Sequence, residues 1–306
     1  MASKNGTVWP LNCALKLKIM RHATTLVKPI IQTDKKAPNV QTMIDIAYSH
    51  NKKDGWQRMD WHFPIANTKD KDIKPAPTIF YYHGGGWASA DKSLYSKFCK
   101  DLAERGFCVV NINYRLMPEY EMEVAINDCI KATNFALNKA EVLGIDKNNV
   151  FFAGDSAGAH ISALIAGQMN HNITELNCTL KGLILYYGVY DFFNLKDNPM
   201  KLLHTYHEMF TATKKKKVQE FYYNFSPTTY VDEKYPPCFM TSGEYDKLHT
   251  ESENFARILK NNNVEVKTIF FEKERKDARH AFLNLNTQAA QEAFLELIDF
   301  LNKHID

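Results

Sequence analysis

The sequence predicts an α/β fold, with a mostly parallel central sheet and helices on both faces. Beyond about residue 76, short β-branched and aromatic runs alternate with longer segments of helical period. Alternation of this kind puts one sheet between two helical layers. Two glycine-rich clusters also stand at the ends of expected strands, where ligands bind on such sheets.

Thr78–Tyr82 is a β-rich run that ends at glycines, Asp91–Arg105 has helical spacing, and Phe107–Asn113 is a second apolar run. Ala125–Leu143 follows as helix, Val150–Ala153 as a short strand, and Ala157–Met169 as a helix rich in small residues. Gly182–Tyr187 and Cys238–Ser242 read as strands, Glu251–Asn261 as helix, Val264–Phe271 as strand and Gln288–His304 as the closing helix. Two segments stay outside the alternation. Residues 1–60, with apolar positions of Leu11–Ile31 at approximate helical spacing, are expected to form an N-terminal cap segment or an amphipathic helix packed on the core. Residues 61–306 form the expected core, with a second cap insertion near 191–235 that is aromatic-rich and punctuated by Ser226-Pro227.

Of the 306 residues, 45% are hydrophobic and 24% charged, which suits a soluble globular enzyme. The net charge is +3 and the lysines are scattered, apart from the run Lys214–Lys217, so no nucleic-acid partner is expected and the run reads as a solvated face. The six cysteines form no CxxC pair and no disulfide framework; they look reduced, which points to the cytoplasm. The N-terminal stretch lacks an uninterrupted apolar core and a small-residue cleavage site, so no secretory signal is expected. No apolar stretch is long enough for stable membrane insertion. Oligomeric state is not set by the sequence, and a homodimer is compatible with it.

The sharpest local signal is Gly154-Asp155-Ser156-Ala157-Gly158, directly after one expected strand and before a helix. In a nucleophile elbow the serine occupies a strained turn, so the residues two before and two after it must be small. Upstream, Phe80-Tyr81-Tyr82 runs into His83-Gly84-Gly85-Gly86-Trp87. Attack of a serine on an acyl carbonyl puts negative charge on oxygen, and backbone N–H groups stabilise it. Gly84 and Gly85 are the expected oxyanion donors from this loop, with Ala157 from the helix start. No G-K-[ST] or G-x-G-x-x-G accompanies the glycines, which disfavours a phosphate loop.

A serine hydroxyl needs a base, and the base needs a third group to hold it, in the chain order nucleophile, acid, histidine. His249 follows Asp246 too closely to be reached by it, and His304 lies at the C-terminus, which leaves His280 as the base. Asp246, just past the run Cys238–Ser242, is the preferred acid; Asp191 is the runner-up and Glu244 a third choice. Asp155 is expected to support the elbow through hydrogen bonds.

At these residues the chain resembles the hormone-sensitive-lipase family of α/β hydrolases. The likeness rests on His83-Gly84-Gly85-Gly86-Trp87, Asn113-Tyr114-Arg115-Leu116-Met117-Pro118-Glu119, Gly154-Asp155-Ser156-Ala157-Gly158, Ser226-Pro227, Glu244-Tyr245-Asp246-Lys247-Leu248 and His280-Ala281-Phe282. It implies the α/β-hydrolase fold, the triad Ser156, Asp246 and His280, and the oxyanion hole Gly84, Gly85 and Ala157. It also implies a structural turn at Tyr114-Arg115 and Pro118-Glu119 with Asp128 on the following helix, an N-terminal cap at the acyl pocket, esters of short to medium acyl chains as substrates, and neither metal nor organic cofactor. Three departures stand out. The loop Glu272–Arg279 is long and charged, Ala281 stands where glycine is common, and residues 1–60 match no pattern of the family residue by residue.

The expected reaction is therefore ester hydrolysis through an acyl-serine, slowing toward acid pH as the imidazole protonates. A peptidase or amidase on the same fold, a non-catalytic small-molecule receptor, and a lipase held at membranes by residues 9–32 are the alternatives.

Overall fold

The structure is a computed structural model that describes residues 2–31, 37–49, 55–65 and 75–306. These residues form an eight-stranded sheet from β1 (Val40–Ala47), β2 (Arg58–Pro64), β3 (Ala76–Tyr82), β4 (Cys108–Ile112), β5 (Ile145–Asp155), β6 (Leu180–Tyr186), β7 (Cys238–Gly243) and β8 (Val266–Phe271). The order across the sheet is β1-β2-β4-β3-β5-β6-β7-β8; β1 and β2 run antiparallel to their neighbours and the rest are parallel.

Successive strand residues face opposite ways. In β3, Ile79 and Tyr81 enter one hydrophobic core while Phe80 and Tyr82 enter the other. β5 and β6 divide alike, Phe151 and Ile184 to one side, Phe152 and Leu185 to the other. The helices α2 (Ser96–Ala103) and α9 (Gln288–His304) supply the first core; α3 (Met122–Leu137), α5 (Ala157–Asn170) and α8 (His249–Asn261) supply the second. This is why the central strands read as continuous apolar runs.

The expected helix Ala125–Leu143 is two, α3 and the single turn α4 (Ala140–Leu143), which ends at Gly144 in the left-handed region (φ 62°). The Asp91–Arg105 segment starts as a 3-10 turn capped by the Asp91 carboxylate and only then becomes α2. Strand β5 is longer than the expected Val150–Ala153, because Ile145 and Asp146 pair with Ala76 and Pro77 ahead of an irregularity in the ladder.

The segment 1–60, expected as a cap, has two parts. It divides into α1 (Leu11–Ile31) and sheet material, since β1 pairs with β2, and β2, which straddles residue 60, pairs with β4. Residues 32–36 and 50–54 lie outside the described residues. The Lys92 ammonium is 2.7 Å from Asp60 and 2.8 Å from Asp45. The buried Lys92–Asp60 pair adds to the burial of Met59, Trp61 and Phe63, which alternate with Asp60 and His62 along β2 in the period of a strand. The second segment, 191–235, carries α6 (Lys201–Lys214) and α7 (Val218–Phe225); α6 packs against α1.

The strand order reverses between β3 and β5. Connections leaving these two strands diverge and open a crevice at their carboxyl ends, the place where open α/β sheets bind ligands. Both glycine clusters leave the sheet there.

Candidate active site

Ser156 ends β5 and begins α5 with φ 50° and ψ −116°, a backbone setting a non-glycine residue adopts only under constraint. The constraint is close packing. A Cβ added to Gly158 would lie 1.9 Å from the Tyr82 carbonyl oxygen, and one on Gly154 would lie 2.3 Å from the Gly158 carbonyl carbon. The Ser156 amide donates to the Tyr186 carbonyl at 2.8 Å, which fixes the turn to β6. Ser156 and His280 line one cavity of about 370 Å³, together with Gly85, Gly86, Trp87 and Ala157.

His280 Nδ1 lies 2.7 Å from Asp246 Oδ2. An ionised carboxylate can only accept, so Nδ1 carries the proton and Nε2 holds the lone pair. The Asp246 side chain is fully buried and its other oxygen accepts the Leu248 amide at 2.9 Å. The rival residues are engaged elsewhere. Asp191 accepts from the Phe193 amide and from Asn194, Glu244 is exposed, and His249 Nδ1 bonds the Ser242 hydroxyl at 2.7 Å.

The charged loop before His280 is itself anchored. Arg275 bridges Asp277 and Glu292, each at 3.0 Å, and Asp277 Oδ2 accepts the Ala289 amide at 2.8 Å near the start of α9. Ala281 has φ 65°, the left-handed region that glycine adopts at little cost, which accounts for the glycine common at this position. The Tyr187 ring stands 5.0 Å from the His280 ring, and its hydroxyl accepts the Leu283 amide at 3.3 Å.

The glycine loop requires a correction of one residue. The Gly84 amide donates to Asp155 Oδ1 at 2.7 Å and so is not available to a substrate oxygen. Asp155 also accepts from Tyr81 at 2.9 Å and from Tyr95 at 3.1 Å; burial pushes its carboxyl up to about 6, with these bonds pulling the other way. The amides of Gly85, Gly86 and Ala157 donate to no group among the described residues. Their directions are set by the carbonyls before them, because N–H and C=O of one trans peptide point oppositely. His83 Nδ1 donates to the Gly84 oxygen at 2.7 Å, and Ser89 Oγ donates to the Gly85 oxygen at 2.8 Å. Burial lowers His83 to about 4, which keeps the ring neutral. Gly85 has φ 112°, and a Cβ there would lie 2.2 Å from the Ser89 carbonyl oxygen.

Further side chains hold this loop that the sequence alone does not single out. Trp87 Nε1 donates to His160 Nδ1 at 3.2 Å, and His160 Nε2 in turn donates to the Phe225 carbonyl at 2.8 Å. The Tyr206 hydroxyl, from α6, donates to the Gly86 carbonyl. Arg21, from α1, donates through Nε to the Ala88 carbonyl at 2.7 Å, bonds the Met117 carbonyl, and pairs with Glu119 at 2.8 Å. The turn Asn113–Glu119 is braced by Arg115, whose two nitrogens each donate to buried Asp128 at 2.7 Å. Met20 and Thr24 of α1 and Leu202 and Leu203 of α6 complete the cavity wall.

A family profile described as the alpha/beta hydrolase fold matches residues 79–284. The chain belongs to the α/β hydrolases, and within them to the hormone-sensitive-lipase-like family. A probable carboxylic ester hydrolase, LipM, of Mycobacterium tuberculosis is 30% identical over 196 residues, 61% of this chain and 45% of that protein. Lipase 2 of a Moraxella species is 33% identical over 111 residues, 36% of this chain and 25% of that protein. The chain thus spans less than half the length of these curated relatives. Among solved structures, esterase B of Lactobacillus rhamnosis superposes with a TM-score of 0.83 at 20% identity, covering 95% of each chain, a likeness of fold. No helix among the described residues is long and apolar enough to cross a membrane, and no group of acidic, histidine and cysteine side chains among them could hold a metal ion.

Proposed function

We propose that the chain is a serine carboxylesterase that hydrolyses short- to medium-chain acyl esters. The carrying observation is the bond of His280 to buried Asp246 on the cavity that Ser156 enters from a strained turn. In this reading His280 Nε2 takes the Ser156 proton as Oγ attacks the acyl carbon, and Asp246 holds the imidazole in that tautomer and stabilises the imidazolium. The amides of Gly85, Gly86 and Ala157 receive the oxyanion. His280 returns the proton to the leaving alcohol; water, deprotonated by His280, then cleaves the acyl-Ser156. The fixed carbonyls of Gly84 and Gly85 mean that these amides need not reorient as charge develops.

The cavity wall supports esters over peptides. Met20, Val189, Met200, Leu202, Leu203 and Leu248 are apolar, and the one carboxylate in the wall, Asp155, is occupied by three donors. A peptide ammonium would find no second carboxylate in this wall. About 370 Å³ lies at the small end of ligand pockets, which suits short and medium acyl groups. We assign α1 and α6 the role of a cap over this pocket. The six cysteines are free and five are buried, in keeping with the cytoplasm.

Hydrolysis of p-nitrophenyl esters from acetate to palmitate, compared with Ser156→Ala, tests the proposal. Turnover of the short esters that disappears in the variant is expected. Turnover that survives, or none on any ester, overturns it.

A further inference from the structure

The inner face of α1 serves the cavity; its outer face is left uncovered. Leu11, Leu15, Ile19 and Leu26 are 67%, 55%, 60% and 64% exposed. At 3.6 residues per turn these four fall within an arc of about 80°, with exposed His22 inside it. Val8, 71% exposed, leads into the stripe. Single exposed apolar residues are ordinary on a soluble protein, but a continuous row along a helix marks a contact surface.

The helix itself carries charges of one sign. From Leu11 to Ile31 the helix contains no acidic residue, while Lys16 and Lys18 flank the row on its two sides. The run Lys214–Lys217, which the catalytic reading leaves unused, stands beside the approach to this helix. Thr7 and Lys214 share the carboxylate of Glu121, and Cys13 of α1 bonds Glu208 of α6. Lys215, Lys216 and Lys217 are exposed and form no ion pair among the described residues. Of the carboxylates close by, Glu121 and Glu123 pair with Lys214 and Glu119 with Arg21 and Lys18, Glu208 accepts from the Cys13 thiol, and exposed Glu220 follows the lysine run on α7.

We propose that the outer face of α1, together with Lys215–Lys217, docks reversibly on an anionic lipid surface, with the apolar row in the headgroup layer and the lysines against lipid phosphates. An apolar stripe bordered by lysines on a helix without carboxylates is the composition that binds such interfaces. A second copy fits less well, because a two-fold contact through this face would set the lysines of one copy against those of the other. Met20 and Thr24, on the opposite face of the same helix, line the cavity, so docking brings the cavity wall to the bilayer from which esters would partition.

Flotation with phosphatidylcholine vesicles, with and without phosphatidylserine, tests this on the intact chain and does not depend on ester hydrolysis. Binding only to the phosphatidylserine vesicles, released by high salt, is expected. Lys215→Gln, Lys216→Gln and Lys217→Gln together should weaken it about a hundredfold, at roughly fivefold per lysine. Leu15→Glu with Ile19→Glu, both at exposed positions, should abolish it while leaving the thermal unfolding profile in place. No binding to either vesicle, equal binding to both, or binding that survives these variants overturns the proposal. So does a dimer in size-exclusion chromatography that Leu15→Glu with Ile19→Glu converts to monomer, which would give the face to a second copy.

Discussion

Replacing Asp155 by asparagine should change the pH dependence of stability in a defined direction. The Asp155 carboxyl is raised from 3.8 to about 6, burial being the largest cause. A folded-state value above the unfolded one means that the native protein holds the proton more tightly, so ionisation costs stability. That cost is absent below about 3.8, grows through the window, and is complete above about 6. At 1.36 kcal/mol per unit its full size is about 3 kcal/mol, and about 2 kcal/mol of it accrues between roughly pH 4.5 and pH 7.5. Asparagine keeps the shape: Oδ1 can still accept from Gly84 and Tyr81, and the Tyr95 hydroxyl can rotate to accept from Nδ2. Urea unfolding of both proteins at the two pH values measures the difference directly. The expected result is that Asp155→Asn gains about 2 kcal/mol on the parent as pH rises over that range, while retaining most of the proposed turnover of short esters. A difference that does not move with pH, or that moves in favour of the parent, would refute a buried ionised carboxylate under the glycine loop.

Asp246→Asn should lower kcat by roughly 10⁴ by disturbing the imidazole tautomer, whereas Asp191→Asn, which only caps a 3-10 turn, should stay near the parent; kinetics on one short ester compare them. Arg21→Ala releases α1 from Ala88, Met117 and Glu119 and should raise KM roughly tenfold with little change in far-UV circular dichroism. An unchanged KM would detach α1 from substrate binding. Ala281→Gly removes a left-handed alanine and should raise unfolding free energy by about 1 kcal/mol in urea titration, after allowance for the freer unfolded chain.

The central strands and the elbow were legible because their signals are local: apolar runs buried on both faces, and small residues where β5 turns into α5. Asp246 and His280 followed from chain order, and the fold brings them within a hydrogen bond. In β2 the alternation of Met59, Trp61 and Phe63 with polar residues is a local strand signal, whereas the tie of Asp45 and Asp60 to Lys92, on the 3-10 turn after β3, is long-range and has no local sign. The glycine loop shows the same limit on a smaller scale. Three consecutive glycines look equivalent in a sequence, but Asp155 takes the amide of the first, and only the carbonyl partners of the next peptides decide which N–H groups face the cavity. The roles of Arg21 and Tyr206 depend on long-range packing of α1 and α6 over the strand ends, which no local pattern encodes.

The most direct test of the acyl-serine account is covalent labelling with a p-nitrophenyl alkylphosphonate, followed by mass spectrometry of the digested protein. The account predicts release of one nitrophenolate per chain, a phosphonyl adduct on the peptide bearing Ser156, and neither in Ser156→Ala. Labelling at another residue, or ester hydrolysis undiminished after Ser156 is blocked, would contradict it.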